Sequence, residues 1–153
     1  MRIVRLTPAF EECLFHHGLA LFNAGAFFEC HETWETCWRG LELGPKRLFY
    51  QALIQCAVAL AHLKRGNRRG GLTLRRRAQA KLAALPPVFM GIDLVRFAAD
   101  MDSALAEPPG PPPRIALRDD PFVTGEAARL DTPVAVPAWL RTRRQSSQTP
   151  RKT

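Results

Sequence analysis

Between Phe27 and Trp38 the chain alternates apolar and polar residues at helical spacing. At about 100° per residue, Phe27, Cys30, Trp34, Cys37 and Trp38 share an apolar arc, while Glu29 and Thr33 point away from its centre. His31 and Glu35 fall on the rim, one turn apart. The run predicts a helix ending at Gly40.

Other helices follow from their punctuation. Thr7-Pro8 followed by Glu11 and Glu12 supplies an N-cap hydroxyl, a proline at the first helical position and acids at the positive end of the dipole. This start predicts a helix to about Phe22, closed by Asn23 and Gly25. Gly44-Pro45 opens a third helix that runs to Arg65 and closes at Gly66-Asn67. Asn67 caps a fourth, which ends before Pro86-Pro87. Asp93 caps a fifth, with Leu94, Phe97, Met101 and Leu105 at helical spacing.

The third helix is apolar over most of its circumference, through Phe49, Leu53, Ile54, Cys56, Ala57, Leu60, Ala61 and Leu63, which predicts a central position. Its polar stripe is narrow: Gln51, Gln55 and His62 fall within about 40° of one another, with Val58 completing the line.

No segment alternates strongly enough to predict a strand, and the connections are short. The expected fold is therefore all-α, a compact bundle of about five helices over residues 1–106. Residues 107–153 have a different character: nine of the 13 prolines lie between Pro108 and Pro150, and the periodicity fades. We expect an irregular, Pro-rich, basic tail, with Ile115 to Leu117 and Val134 to Leu140 docking locally on the bundle.

Composition narrows the class. Of 153 residues, 46% are hydrophobic and 24% charged, as in globular domains. The longest apolar stretch, Ala52 to Leu63, is broken by Gln55 and His62 and is too short for a bilayer. The N-terminal residues carry no secretory pattern. Cys13, Cys30, Cys37 and Cys56 form no C-x-x-C pair, and the seven-residue step from Cys30 to Cys37 spans roughly 10 Å of helix, beyond disulfide reach. Reduced thiols in a cytoplasmic protein are expected, and the spacing offers no four-cysteine zinc site.

The net charge of +8 points to anionic partners. Part of it lies in the tail, in Arg141, Arg143, Arg144, Arg151 and Lys152. Within the bundle, Arg68, Arg69, Arg75 and Arg76 project from one side of the fourth helix, whereas Arg77 lies off that face beside Lys81. Without interleaved aromatics or a nucleic-acid signature, a solvated basic face accounts for these residues as well as phosphate contact does.

The candidate site joins two helices. A short Gly-Pro connection sets the second and third helices antiparallel, so His31, Glu35, Gln51, Gln55 and His62 form one expected polar cluster beside Trp34. His31, Glu35 and His62 are ligands that zinc, iron or manganese accept, with Glu32 or Glu35 as general base to a metal-bound water in a hydrolytic reaction. His31-Glu32-x-x-Glu35 only partly matches the zinc-peptidase H-E-x-x-H, and no E-x-x-H pair on the third helix suggests di-iron. Three readings stay open: a polar pocket that binds a small molecule or a divalent metal; a non-enzymatic module that binds nucleic acid or an acidic surface; and a structural or oligomerising domain in which the cluster only fixes packing.

Leu21-Phe22-Asn23-x-Gly25-x-Phe27-Phe28-Glu29-x-His31-Glu32-x-Trp34-Glu35-x-x-Trp38, Leu53-Ile54-Gln55 leading to His62, and Arg65-Gly66-Asn67-x-x-Gly70 together carry a resemblance. Arg77-Ala78 and Gly91-Ile92-Asp93 extend it. The chain resembles the bacterial and archaeal family called domain of unknown function 309, from about residue 10 to 105. The resemblance implies a helical bundle with the H-E-x-W-E helix at its centre, and no established substrate. Gln51-Ala52 stands where the family pattern has Gln-Gly.

Overall fold

The computed structural model describes residues 2–124, 132–136 and 140. Its elements run β1 (Arg2–Leu6), α1 (Pro8–Asn23), α2 (Phe27–Gly40), α3 (Pro45–Lys64), α4 (Arg68–Ala83), β2 (Val88–Phe89), β3 (Ile92–Asp93), α5 (Leu94–Ala104), α6 (Pro121–Thr124) and β4 (Thr132–Val136). The caps form as their chemistry dictates: Thr7 Oγ1 accepts from Phe10 N, Asn67 Oδ1 from Gly70 N and Asp93 Oδ1 from Arg96 N.

The molecule is an all-α bundle. The central helix is α3, flanked by α2 and α4, while α1 packs on α2 and α5 on α4. Trp34, Tyr50, Phe15, Phe22 and Phe49 are the largest side chains sealed in the core. No helix among the described residues is long and apolar enough to cross a membrane.

Two antiparallel strand pairs correct the expectation of no strands. The hairpin β2–β3 leads into α5, and β1 pairs with β4 in a register that sets Arg2 opposite Val136 and Leu6 opposite Thr132. Both strands of the larger ribbon bury alternate residues: Leu6 on one, Val134 and Val136 on the other. Each strand is only five residues long, too short to stand out in a periodicity scan.

This ribbon also corrects the wheel of α2. Strand β4 packs on α2, and a methyl added to Gly40 would run into Leu6 and Val134. Thr33 and Thr36, on the same side of the helix as Gly40, are buried under this cover, with their hydroxyls bonded back to the Glu29 and Glu32 carbonyls. Thr33 therefore does not face solvent.

The Pro-rich stretch after Ala106 is irregular but packed. Ile115 is buried and bonds reciprocally with the Asn23 side chain, at 2.8 and 2.9 Å, and Phe122 lies against Phe15. Val134, Val136 and Leu140 are buried, as the docking expectation required. Arg141, Arg143, Arg144, Arg151 and Lys152 lie outside the described residues.

Candidate functional site

Along the open side of α2, side chains one turn apart join through a carboxylate. His31 Nε2 lies 2.9 Å from Glu35 Oε2, and Arg39 Nη2 is 2.5 Å from Glu35 Oε1. Because an ionised carboxylate only accepts, the proton in the first bond sits on His31 Nε2. His31 and Glu35 are one-quarter exposed (25% and 26%), and Phe28, 55% exposed, holds its ring 6.0 Å from the imidazole.

Two cross-helix contacts set the register of α2 against α3. Arg47 Nε donates to the Trp38 carbonyl at one end, with its guanidinium 4.3 Å from the Trp38 ring centroid, and Lys64 Nζ donates to the Gly25 carbonyl at the other. Antiparallel helices pinned at those points bring His31 level with Gln55 and Glu35 level with Gln51. Gln51, Gln55, Val58 and His62 are all half-buried, so the polar stripe of α3 is partly open rather than sealed.

Trp38 Nε1, at the Arg47 end of the seam, is buried with no hydrogen-bond partner among the described residues, and so are two atoms further along it. His31 Nδ1 and Gln55 Oε1 are buried and have no hydrogen-bond partner among the described residues. Buried polar atoms ordinarily find partners, so a pair at one level marks a place with unmet hydrogen-bonding demand. Gln51, one turn before Gln55 on α3, is also half-buried.

His62 stands elsewhere. It lies level with Gly25 to Phe27, some six residues or about 9 Å of helix from His31, and its Nδ1 sits 3.2 Å from Asn67 Nδ2. His31, Glu35 and His62 are therefore not brought together. Among the described residues no three His, Cys, Asp or Glu side chains form a group that could hold a metal.

Trp34 is a core residue. It is fully buried, its Nε1 donates to the Phe15 carbonyl at 3.3 Å, and its indole packs against Gly18 so closely that any β-carbon there would collide with it. Glu32 is half-buried, and its carbonyl receives the Thr36 hydroxyl. The four arginines expected on the basic face of α4 divide. Arg68 donates through Nε and Nη2 to the Leu105 carbonyl, and Arg75 pairs with Asp102, so both tie α4 to the α5 end of the bundle. Arg69 and Arg76 remain exposed, as does Arg77.

One polar cluster escapes the sequence analysis. Glu11, only 1% exposed, accepts from Lys46 Nζ at 2.6 Å and from Tyr50 Oη at 2.7 Å, and Tyr50 also neighbours the buried Cys37 thiol. Burial, reinforced by the Glu11 charge, pushes the Cys37 thiol well up; burial, then the Cys37 and Glu11 charges, pushes the Tyr50 phenol up. Read only as a first-turn acid, Glu11 gives no hint of burial. Its place between Phe10 and Leu14 on the apolar face of α1, together with Lys46 and Tyr50 four residues apart on α3, is the signal that could find the cluster.

Comparison with known proteins places the chain. The family model described as "Domain of unknown function (DUF309)" matches residues 15–74. An uncharacterized protein of Aquifex aeolicus (strain VF5) is 31% identical over 84 residues, which cover 55% of this chain; the chain spans 25% of that relative's length. The crystal structure of a conserved hypothetical protein from Thermus thermophilus superimposes with a TM-score of 0.53 at 32% identity, covering 60% of this chain and 94% of that one. The matched residues run from Phe15 through α2 and α3 into α4, the elements that carry His31, Glu35, Gln55 and His62, and the chain belongs to the DUF309 family.

Proposed function

We propose that the half-open seam between α2 and α3 binds a small polar ligand rich in hydrogen-bond donors. The observation that carries this is the pair of buried, unmatched atoms His31 Nδ1 and Gln55 Oε1. In the tautomer with its proton on Nε2, Nδ1 of the ring presents a lone pair, and the amide oxygen presents two more. Two buried, unmatched acceptors at one level of the seam suit a primary amine, an amide NH2 or a diol. Phe28 supplies an apolar rim and Arg39 holds Glu35 in place. Because the described residues gather no three-ligand group, the proposal is for a ligand bound without a metal, and it assigns no reaction to Glu32 or Glu35.

The test is titration of isotope-labelled protein with ethanolamine, acetamide and ethylene glycol at millimolar concentrations. The His31 ring and Gln55 side-chain amide signals should move together along one binding curve, and the His31 ring signal should stay still in Gln55→Leu. Unmoved signals with all three probes would sink the proposal.

A second reading, contact with an anionic partner such as nucleic acid or an acidic surface, rests on Arg69 and Arg76, which stay exposed while Arg68 and Arg75 turn inward. It predicts salt-sensitive affinity for a short RNA that the double substitution Arg69→Gln, Arg76→Gln abolishes. For both readings we place the protein in the cytoplasm, on the support of free buried thiols at Cys30, Cys37 and Cys56.

A further inference from the structure

A cavity lies away from the seam. It is a cleft of about 540 Å³ between α5 and the returning segment 114–118, within the range of small-molecule sites. Its geometry starts from the Asn23 side chain, which donates to the Ile115 carbonyl and accepts from the Ile115 N–H, as a neighbouring strand would. At the far end Arg118 N donates to the Gly91 carbonyl at 2.8 Å. Gly91 has φ +77, and a β-carbon there would strike the Asp119 carbonyl, so this pin requires glycine.

Held at both ends, the segment alternates. Pro113 and Ile115 are buried and Leu117 half-buried, whereas Arg114, Ala116 and Arg118 are exposed and form one wall of the cleft. Across from them α5 contributes Arg96, Phe97 and Asp100, and Ile92 adds to an apolar floor in which Phe97 is 3% exposed.

The charges do not cancel. Asp93 Oδ1 accepts the Arg96 backbone N–H, and Asp100 lies 3.9 Å from the Arg96 guanidinium. Those two aspartates thus answer the end of α5 and Arg96. The guanidinium groups of Arg114 and Arg118 have no ion-pair or hydrogen-bond partner among the described residues. Two guanidiniums without a partner among the described residues, above an apolar floor, favour a carboxylate or phosphate carrying an apolar body, because such a group takes paired N–H donors that a neutral molecule cannot use fully.

We infer that the cleft between α5 and residues 114–118 is a binding site for a small organic anion, with its carboxylate or phosphate on Arg114 and Arg118 and its apolar part on Phe97 and Ile92. The site shares no residue with the seam.

Calorimetric titration and amide-shift mapping with phenyl phosphate, benzoate, inorganic phosphate and benzyl alcohol test it on the full chain. Phenyl phosphate or benzoate should bind at least about tenfold more tightly than inorganic phosphate and benzyl alcohol, moving amides of residues 93–100 and 114–118. Whichever of the two binds more tightly identifies the head group. The double variant Arg114→Gln, Arg118→Gln should lose that affinity with an unchanged thermal midpoint, since both side chains are exposed. Equal binding of benzyl alcohol, shifts confined to other surfaces, or full affinity in the double variant would each overturn the inference.

Discussion

Tyr50 Oη donates a 2.7 Å hydrogen bond to Glu11 Oε2 inside the core, fastening the first turn of α1 to the second turn of α3. Lys46 closes on the other carboxylate oxygen at 2.6 Å. Removing Glu11 as Glu11→Ala strands a lysine and a buried phenol, and should cost about 3–5 kcal/mol. Tyr50→Phe leaves the ion pair intact and should cost about 1–3 kcal/mol. Urea unfolding of both variants checks the order; a Tyr50→Phe loss equal to that of Glu11→Ala would show that the lysine contributes nothing.

Gly18 and Trp34 allow a sharper steric test. A methyl at Gly18 collides with the indole, and the ring is held by its bond to the Phe15 carbonyl. Gly18→Ala should therefore lower stability by about 1–3 kcal/mol, as overpacked cores do, despite the better helix propensity of alanine. A rise in the unfolding midpoint would mean that the ring yields.

Gln55 should behave in the opposite way. Its amide oxygen is buried and unmatched in the free protein, so Gln55→Leu should leave stability unchanged or raise it by about 1 kcal/mol. The same substitution should abolish the ligand shifts predicted for the seam. A large loss of stability would mean that Gln55 already has a full set of partners and that the seam has no open demand.

Alkaline pH should weaken the fold through its thiols and phenol. Burial lifts Cys56 from 9.0 to about 12, and lifts Cys30, Cys37 and Tyr50 well above their ordinary values. These groups ionise first in the unfolded chain, so the unfolded state loses protons before the folded one. Their contribution is complete below about pH 9 and declines as pH climbs toward 12. Urea midpoints measured upward from pH 8 should fall over that window, and a flat profile would contradict the assignment of these groups to a closed interior. A thiol reagent at neutral pH should label half-buried Cys13 well ahead of the other three.

Much of the bundle is legible in the sequence because helix signals are local. Thr7, Asn67 and Asp93 cap helices whose first residues follow them directly, and Gly66 lies just beyond the C-cap of α3. The His31–Glu35 pair is equally visible, since one helical turn fixes it. What the pattern misses depends on segments distant in sequence. Thr33 reads as solvent-facing until Thr132–Val136 is known to lie over α2, and Arg75 reads as part of a basic face until Asp102 arrives beside it. His62 shares a stripe with Gln55, yet length along α3 carries it beyond the level of His31. A wheel projects that axial distance away.

The pairing of Arg2–Leu6 with Thr132–Val136 has a consequence for how the chain is made. Partners separated by roughly 130 positions give the ribbon a high contact order, whereas α1 to α4 contact their sequence neighbours. During synthesis the helices can condense early, but β1 must wait as an open strand edge until residues 132–136 have emerged. For that interval the buried threonine side of α2 is uncovered beside an unpaired edge. The nascent protein is then most exposed to association with other chains, and the arrival of Val134 over Gly40 ends that period.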